Sequence, residues 1–178
     1  MSENNEVMNV NASTGEIMDP EPKAQSQNGY VIEDTPTYQV VKGADGKLTK
    51  MAKYQAYSSI KAETREEKVK LYNLLNSRGG EVKEMKTKKN ATITIKDVVF
   101  NPYSKFDEQT GIDRPMVNTI IGTDEGEYIA TSSKGVYFDL QNMFEIFGKP
   151  GEPDYEPIKV QIIGHRTTNG EQFGLKLV

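Results

Sequence analysis

Cationic and aromatic side chains are concentrated in a few stretches of the sequence, and this combination suits one kind of chemistry. Lysine and arginine can contact phosphate groups, while Tyr and Phe rings can stack on nucleic-acid bases, each stack contributing about 1–3 kcal/mol. Three such stretches are KEMKTKK (83–89), NPYSKFDEQTGIDRP (101–115) and HRTTNG (165–170), and predicted strands add two further residues. The candidate nucleic-acid-binding residues are Lys86, Lys88, Lys89, Lys96, Tyr103, Lys105, Phe106, Arg114, Tyr128 and Arg166.

Catalytic and metal-binding chemistry has little support in the sequence. The chain has no cysteine, and its single histidine, His165, lies in a predicted turn without a nucleophile motif beside it. The stretch SRGGE (77–81) follows a helical pattern instead of opening a helix, so it does not match a phosphate-binding glycine loop. The carboxylates of TDEGE (123–127) fit a charged hairpin turn better than a calcium loop. We therefore expect a protein that is not an enzyme and needs no metal or cofactor.

Charge is divided along the chain, although the net value is only −4. Residues 1–46 carry eight acidic and two basic side chains, 47–89 carry five acidic and twelve basic ones, and 90–178 carry thirteen acidic and eight basic ones. A basic block between acidic flanks indicates either contact with a polyanion or a solvated helix face. Polar composition without a period predicts a disordered acidic arm over 1–46, although residues 30–41 could form a short strand against a partner.

Helical and β-type periods divide the rest of the chain. Residues 47–82 are predicted to form a basic, partly helical extension, with a capping box at Thr64 and Glu67. Period-2 alternation predicts strands, and one stripe of apolar residues at helical spacing predicts a second helix. The five strands are expected at 91–100, 116–123, 127–132, 158–164 and 171–178. The buried face of the second helix is expected to hold Val136, Leu140, Met143, Phe144 and Phe147.

The predicted order β-β-β-α-β-β is that of the OB-fold, a five-stranded Greek-key barrel. We therefore expect a mainly β chain with two helices, in which residues 83–178 form an OB-type nucleic-acid-binding domain. An unrelated small barrel is the alternative, because one sequence does not reveal the order of strands in space.

OB-folds bind oligonucleotides over strands two and three, between the loops that follow strands one and four. Those loops are predicted at 101–115 and 165–170, which places Arg114 and Arg166 on opposite borders of one groove. Several other candidates have structural alternatives. Tyr103 and Phe106 could pin a loop, Tyr128 could pack across strands, and the lysines could be gatekeepers before a β-rich strand.

Three consecutive stretches resemble the single-stranded DNA-binding proteins of tailed bacteriophages and related mobile elements. They are ITIKDVVFNPYSKFDEQTGIDRPMVNTII, DEGEYIATSSKGVYFDLQNMFEIFGKP and EPIKVQII, within roughly residues 80–163. The resemblance implies an OB-type fold, protection of single strands in phage replication or recombination, and binding roles for Arg114, Tyr128 and the 101–115 loop. One departure is the net negative charge of residues 90–178, so binding would depend on local clusters of Lys and Arg.

The sequence thus predicts a single-stranded DNA-binding protein that coats and protects DNA through phosphate contacts and base stacking, independently of sequence. Expected partners are single-stranded DNA, replication or recombination proteins bound through the N-terminal arm, and further copies of the chain. Because no signal peptide or long apolar run is present, we expect the cytoplasm, that of the host cell if a phage encodes the chain. The alternative is a protein-interaction or virion structural module on a small β-barrel, whose binding would not weaken steeply with salt.

Overall fold

The computed structural model describes residues 30–76, 82–168 and 170–178. They form two compact units, one of Met1–Met51 (described from residue 30) with Phe106–Asp113, and one of Ala52–Lys105 with Arg114–Val178. Most of the predicted acidic arm, residues 1–29, lies outside the described residues, as does the predicted glycine stop of the first helix. Within the described ranges, no helix is long and apolar enough to cross a membrane.

The first unit contains a three-stranded sheet whose strands lie side by side in the order in which they occur in the chain. Its strands are β1 (Tyr30–Asp34), β2 (Tyr38–Lys42) and β3 (Leu48–Ala52). A small core of Val41, Met51 and Ile112 is buried in this unit. The prediction of disorder is therefore wrong for residues 30–46, because strand pairing and these buried side chains order them.

The second unit is built on a sheet that curls into a half-barrel, and on two helices. Its elements are β4 (Tyr57–Ser58), α1 (Arg65–Leu75), β5 (Val82–Glu84), β6 (Thr92–Asp107), β7 (Ile112–Thr123), β8 (Tyr128–Thr131), α2 (Lys134–Phe147), β9 (Ile158–Thr167) and β10 (Gly170–Leu177). The strand order is β10-β9-β6-β7-β8-β5, and β4 pairs with β6. The predicted mainly β class with two helices is confirmed, and this arrangement is compatible with an OB-like fold.

Helix α2 packs its apolar stripe into the main core of the second unit. Val136, Leu140, Met143 and Phe144 are all buried there, as their helical spacing predicts. The prediction is wrong for Phe147, which is 45% exposed. Phe147 is the last helical residue, and it lies outside the buried cluster that the rest of the stripe joins.

Helix α1 packs on the other face of the sheet. Its predicted capping box is confirmed, since the Glu67 N–H donates to Thr64 Oγ1 at 3.2 Å and the Thr64 N–H donates to the Glu67 carboxylate at 2.9 Å. Leu74 is 1% exposed and packs with Val99 and Ile120. Val98, Phe100 and Ile121, the sequence neighbours of Val99 and Ile120, belong instead to the core under α2. Successive residues of a strand point to opposite faces of the sheet. The two helices therefore cover opposite faces.

The strand order ends with β10 on one side and with β8 and β5 on the other. The gap between β8 and β10 is called the seam below. Strand β5 occupies the β8 side of the seam. It pairs with β8 in parallel, from Val82 opposite Tyr128 to Glu84 opposite Ala130. A short 3-10 helix, Met85–Lys88, follows directly and brings the lysine-rich segment to this part of the unit.

On the other side of the seam, α2 satisfies the free edge of β10. The Ser133 hydroxyl donates to the Phe173 carbonyl at 2.6 Å and accepts from the Phe173 N–H at 3.3 Å. The Asp139 carboxylate accepts from the Leu175 N–H at 2.8 Å. Gly135 makes this approach possible, because a Cβ there would lie 2.8 Å from the Phe173 carbonyl oxygen. The edge of β10 is thus occupied by helix side chains instead of another strand.

Candidate nucleic-acid interface

The first predicted border loop, 101–115, is instead most of a long β-hairpin. Strand β6 continues to Asp107 and β7 begins at Ile112, so the turn is confined to residues 108–111. The Asp107 carbonyl accepts from the Gly111 N–H at 2.8 Å, and Gly111 has φ of 64°, which glycine adopts without strain. The prediction of a loop at 101–107 and 112–115 is therefore wrong.

The candidates from this stretch lie on strands. Tyr103 is 42% exposed on β6, Lys105 is exposed on the same strand, and Arg114 is exposed on β7. Phe106 is 51% exposed but belongs to the first unit. The part of 101–115 that lies in the second unit thus contributes one exposed ring and two exposed cations.

The second predicted border loop is also shorter than expected. Strand β9 runs to Thr167 and β10 starts at Gly170, so His165 and Arg166 lie on a strand and not in a turn. Arg166 is exposed and pairs across the strands with Glu171. Opposite charges facing each other on paired strands stabilise the hairpin. The hairpin therefore presents Arg166 beside a carboxylate.

Glu127 holds two lysines of the segment that contains the predicted phosphate contacts. Its carboxylate pairs with the Lys88 ammonium at 2.6 Å and with that of Lys83. Hydrogen bonds from Lys83, and then from Lys88, lower the pKa of Glu127 from 4.5 to about 2. Both lysines are thus drawn to the start of β8.

The other two lysines of this segment also have carboxylate partners. Lys86 pairs with Glu84, and both side chains are about two-thirds exposed, at 66% and 68%. Lys89 pairs with Glu171 of β10, the same carboxylate that faces Arg166 across the strands. Exposed ion pairs of this kind are weak, so a phosphate group can replace the carboxylate at little cost.

Tyr128 packs against neighbouring side chains, which is the alternative to base stacking that the sequence left open. It is half-buried and joins the cluster under α1, where the Lys70 ammonium lies 5.5 Å from the centre of its ring. Gly122 lies opposite it on β7 and accommodates the ring. Lys96 is exposed on β6, next to the buried Ile95. Helix α1 thus covers the predicted stacking residue, whereas Lys96 stays accessible.

Two adjoining cavities lie along the seam, with volumes of about 320 and 390 Å³. They share Thr131, Ser132 and Phe173 as lining residues. The first extends to Lys86 and the second to Lys134, the first residue of α2. Together they combine hydroxyl groups, an aromatic ring and two ammonium groups.

The sequence candidates do not include Lys134, Phe173, Glu127 or Glu171. Lys134 and Phe173 are 39 positions apart in sequence and line the same cavity because the start of α2 packs on the edge of β10. No local period indicates such a contact. In the sequence, Glu127 and Glu171 are two of many acidic residues and have no distinguishing pattern. They come close to the lysines only in the folded sheet.

A family model described as phage single-stranded DNA-binding protein matches residues 49–177. The chain belongs to this family. The Single-stranded DNA-binding protein of Bacillus phage GA-1 is 38% identical over 156 residues, which cover 86% of this chain and 91% of that protein. No solved structure gives a significant match.

The region matched to the phage single-stranded DNA-binding family runs from β3 to β10. It therefore includes the lysine segment, the β6–β7 hairpin and the seam. All ten sequence candidates lie inside this family region.

Proposed function

We propose that this protein binds single-stranded DNA without sequence preference, and that it coats and protects the strand during phage DNA replication or recombination. Membership of the phage single-stranded DNA-binding family is the observation that carries this function. The exposed cations and aromatic rings support it, because single-strand binders combine phosphate contacts with base stacking. The protein acts without catalysis, in the cytoplasm of the host cell.

The scaffold we propose is an OB-type Greek-key barrel made of β6, β7, β8, β9 and β10, with α2 between the third and fourth strands. In a Greek key the spatial order is 4-1-2-3, and the observed order β9-β6-β7-β8 supports that connectivity. The scaffold departs from a closed five-stranded barrel at the seam, where β5 lies beside β8.

The contacts we propose come from three groups of residues that are exposed or, for Lys88, partly exposed. On the β6 and β7 strands they are Lys96, Tyr103, Lys105 and Arg114, and on the β9–β10 hairpin Arg166. From the lysine segment they are Lys86, Lys88 and Lys89, which exchange their carboxylate partners for phosphates. Phe106 adds an exposed ring in the first unit. Tyr128 stays in its packing role under α1.

The acidic N-terminal residues give a further partner surface. We propose that residues 1–29, with five acidic and one basic side chain, compete with DNA for the lysines or bind replication and recombination proteins. Deletion of 1–29 tightens DNA binding if competition operates, and unchanged affinity would rule competition out. Cooperative coating by further copies is expected to appear as a sigmoidal titration of long strands.

Fluorescence anisotropy of labelled oligo-dT, matched duplex and single-stranded RNA tests the function directly. Binding to dT should exceed duplex binding and should weaken steeply between about 50 and 200 mM salt, because phosphate contacts release counterions. Absence of binding to every oligonucleotide at low salt would refute the proposed function. Binding that is insensitive to salt would favour a protein-interaction module.

A further inference from the structure

Two surfaces of the second unit compete as the path of a bound strand. The outer face of β7 and β8 is the one that OB-folds commonly use. Here that face is covered by α1, through Leu74 on Ile120 and with Lys70 above Tyr128. No described element covers the seam in this way, and cavities open along it.

The seam groove is defined by Lys86, Asn118, Thr131, Ser132, Lys134 and Phe173. We propose that the seam groove holds a short segment of single-stranded DNA, with phosphates at Lys86 and Lys134 and a base against the Phe173 ring. This assignment rests on the single-strand-binding function proposed above. It moves the main contact from the outer face of β7 and β8 to the gap between β8 and β10.

The lining of the groove suits a nucleotide. Each cavity has a volume typical of sites for small organic ligands, about 300–1,000 Å³. Thr131, Ser132 and Asn118 offer hydrogen bonds that do not depend on which base is present. Phe173 is half-buried and packs against the main core, so its ring is held in place by neighbours while one side lines both cavities. A fixed ring costs little entropy when a base stacks on it.

The walls of the groove are fixed before any ligand arrives. The Ser133 hydroxyl makes hydrogen bonds with both the N–H and the carbonyl of Phe173, and the Asp139 carboxylate accepts one from the Leu175 N–H of β10. On the opposite wall, β5 is paired with β8. The groove is therefore a built feature of the fold and needs no rearrangement to form.

Charge in the groove also favours a phosphate chain. Lys134 has no ion-pair partner within the described part of the chain, so its ammonium is available. Two carboxylates, Glu84 and Glu171, also line the cavities, and each pairs with a lysine, Lys86 or Lys89. Because the Lys86 pair is exposed, a phosphate can displace Glu84.

Matched pairs of variants test the groove by anisotropy with labelled oligo-dT. Lys134→Ala removes a groove cation, and Lys149→Ala removes an exposed cation just beyond the other end of α2. We expect the salt slope to fall by about 0.7 in Lys134→Ala only, the value for one lost phosphate contact on a single strand. Phe173→Leu keeps an apolar side chain in the core, and its affinity should fall about fivefold or more through loss of a stack.

A second pair guards against a folding artefact. Ser132→Glu places a negative charge in the groove at an exposed position, while Asn142→Glu places the same charge on the exposed side of α2. Weaker binding by Ser132→Glu alone supports the groove, with melting curves confirming that both variants are folded. If the wild type binds dT and both members of each pair behave alike, the groove is refuted but the function stands. If the wild type fails to bind, the function itself is wrong.

Discussion

Replacement of Glu127 by Gln is expected to strengthen the binding of single-stranded DNA. In the free protein this carboxylate pairs with Lys83 and Lys88, and these hydrogen bonds lower its pKa to about 2, so it is charged at neutral pH. A phosphate that contacts either lysine must therefore compete with Glu127. Gln keeps the size of the side chain but removes its charge, so both ammonium groups become available.

The size of the effect follows from the two lysines. Each phosphate contact on a single strand changes the slope of log K against log salt by about 0.7, so two released lysines steepen it by up to about 1.4. Over a fourfold rise in salt, from about 50 to 200 mM, Glu127→Gln should then lose about sevenfold more affinity than the wild type. At the low-salt end the variant should bind more tightly than the wild type.

Glu125→Gln is the matched control for this measurement. Glu125 is exposed, lies two residues away in the same turn, and has no lysine partner in the described chain. It changes the net charge equally, so any difference between the two variants reports the ion pairs. Equal slopes for the wild type and both variants, measured by anisotropy with oligo-dT, would refute the idea that Glu127 restrains the lysines.

Three further predictions concern stability. The pKa of Glu127 is lowered on folding, so the ionised carboxylate stabilises the fold above about pH 4.5 and this stabilisation is lost as pH falls towards 2. The urea midpoint of the wild type should therefore fall over that pH range, and that of Glu127→Gln should fall less. Phe144→Ala should cost about 3–5 kcal/mol in urea unfolding, whereas Phe147→Ala should stay within about 0.5 kcal/mol because Phe147 is exposed; equal losses would contradict the assigned core. Asp139→Ala should cost about 1–3 kcal/mol by leaving the Leu175 N–H unpaired, and Asp139→Asn, which retains an acceptor oxygen, should recover most of it in thermal melts.

Local patterns in the sequence account for much of the second unit. The capping box starts α1 where predicted, and four of the five residues of the α2 stripe are buried. Both features depend on residues within three or four positions of each other, which is the range over which helical periodicity acts. The fifth residue, Phe147, belongs to the same stripe but is exposed. Helical spacing shows which face of a helix is apolar, but it does not show where along the helix the core ends.

The β6–β7 hairpin is missed for a physical reason. Over residues 101–107 both faces of β6 are partly or fully exposed, so the apolar alternation that identifies a strand is absent there. Pro102 and Pro115 add a loop-like composition. Proline is tolerated in a strand that has a free edge, and β6 pairs with β9 only from Thr92 to Ile95. Sequence reasoning therefore picks out cations that are exposed there but places them on a loop.

The candidate site is harder to predict than the fold because its parts come from distant segments. Lys83 and Glu127 are 44 residues apart and meet through the parallel pairing of β5 with β8. Parallel neighbours that are distant in sequence leave no local signature. The covering of Tyr128 by α1 is likewise a tertiary event, which composition and period cannot reveal.

The position of β5 has a consequence for the order in which the chain acquires its structure. β5 is made on the ribosome before its partner β8, and α1 before the strand residues that bury Leu74. Residues 52–76 and 82–90 therefore have no surface to pack against until β6, β7 and β8 exist, and we expect them to dock last. The reverse step, detachment of this late layer from an intact sheet, is then the opening of lowest free energy in the second unit. In hydrogen exchange, the amides of β5 and the edge of β8 should lose protection together, well before those of β6 and β9.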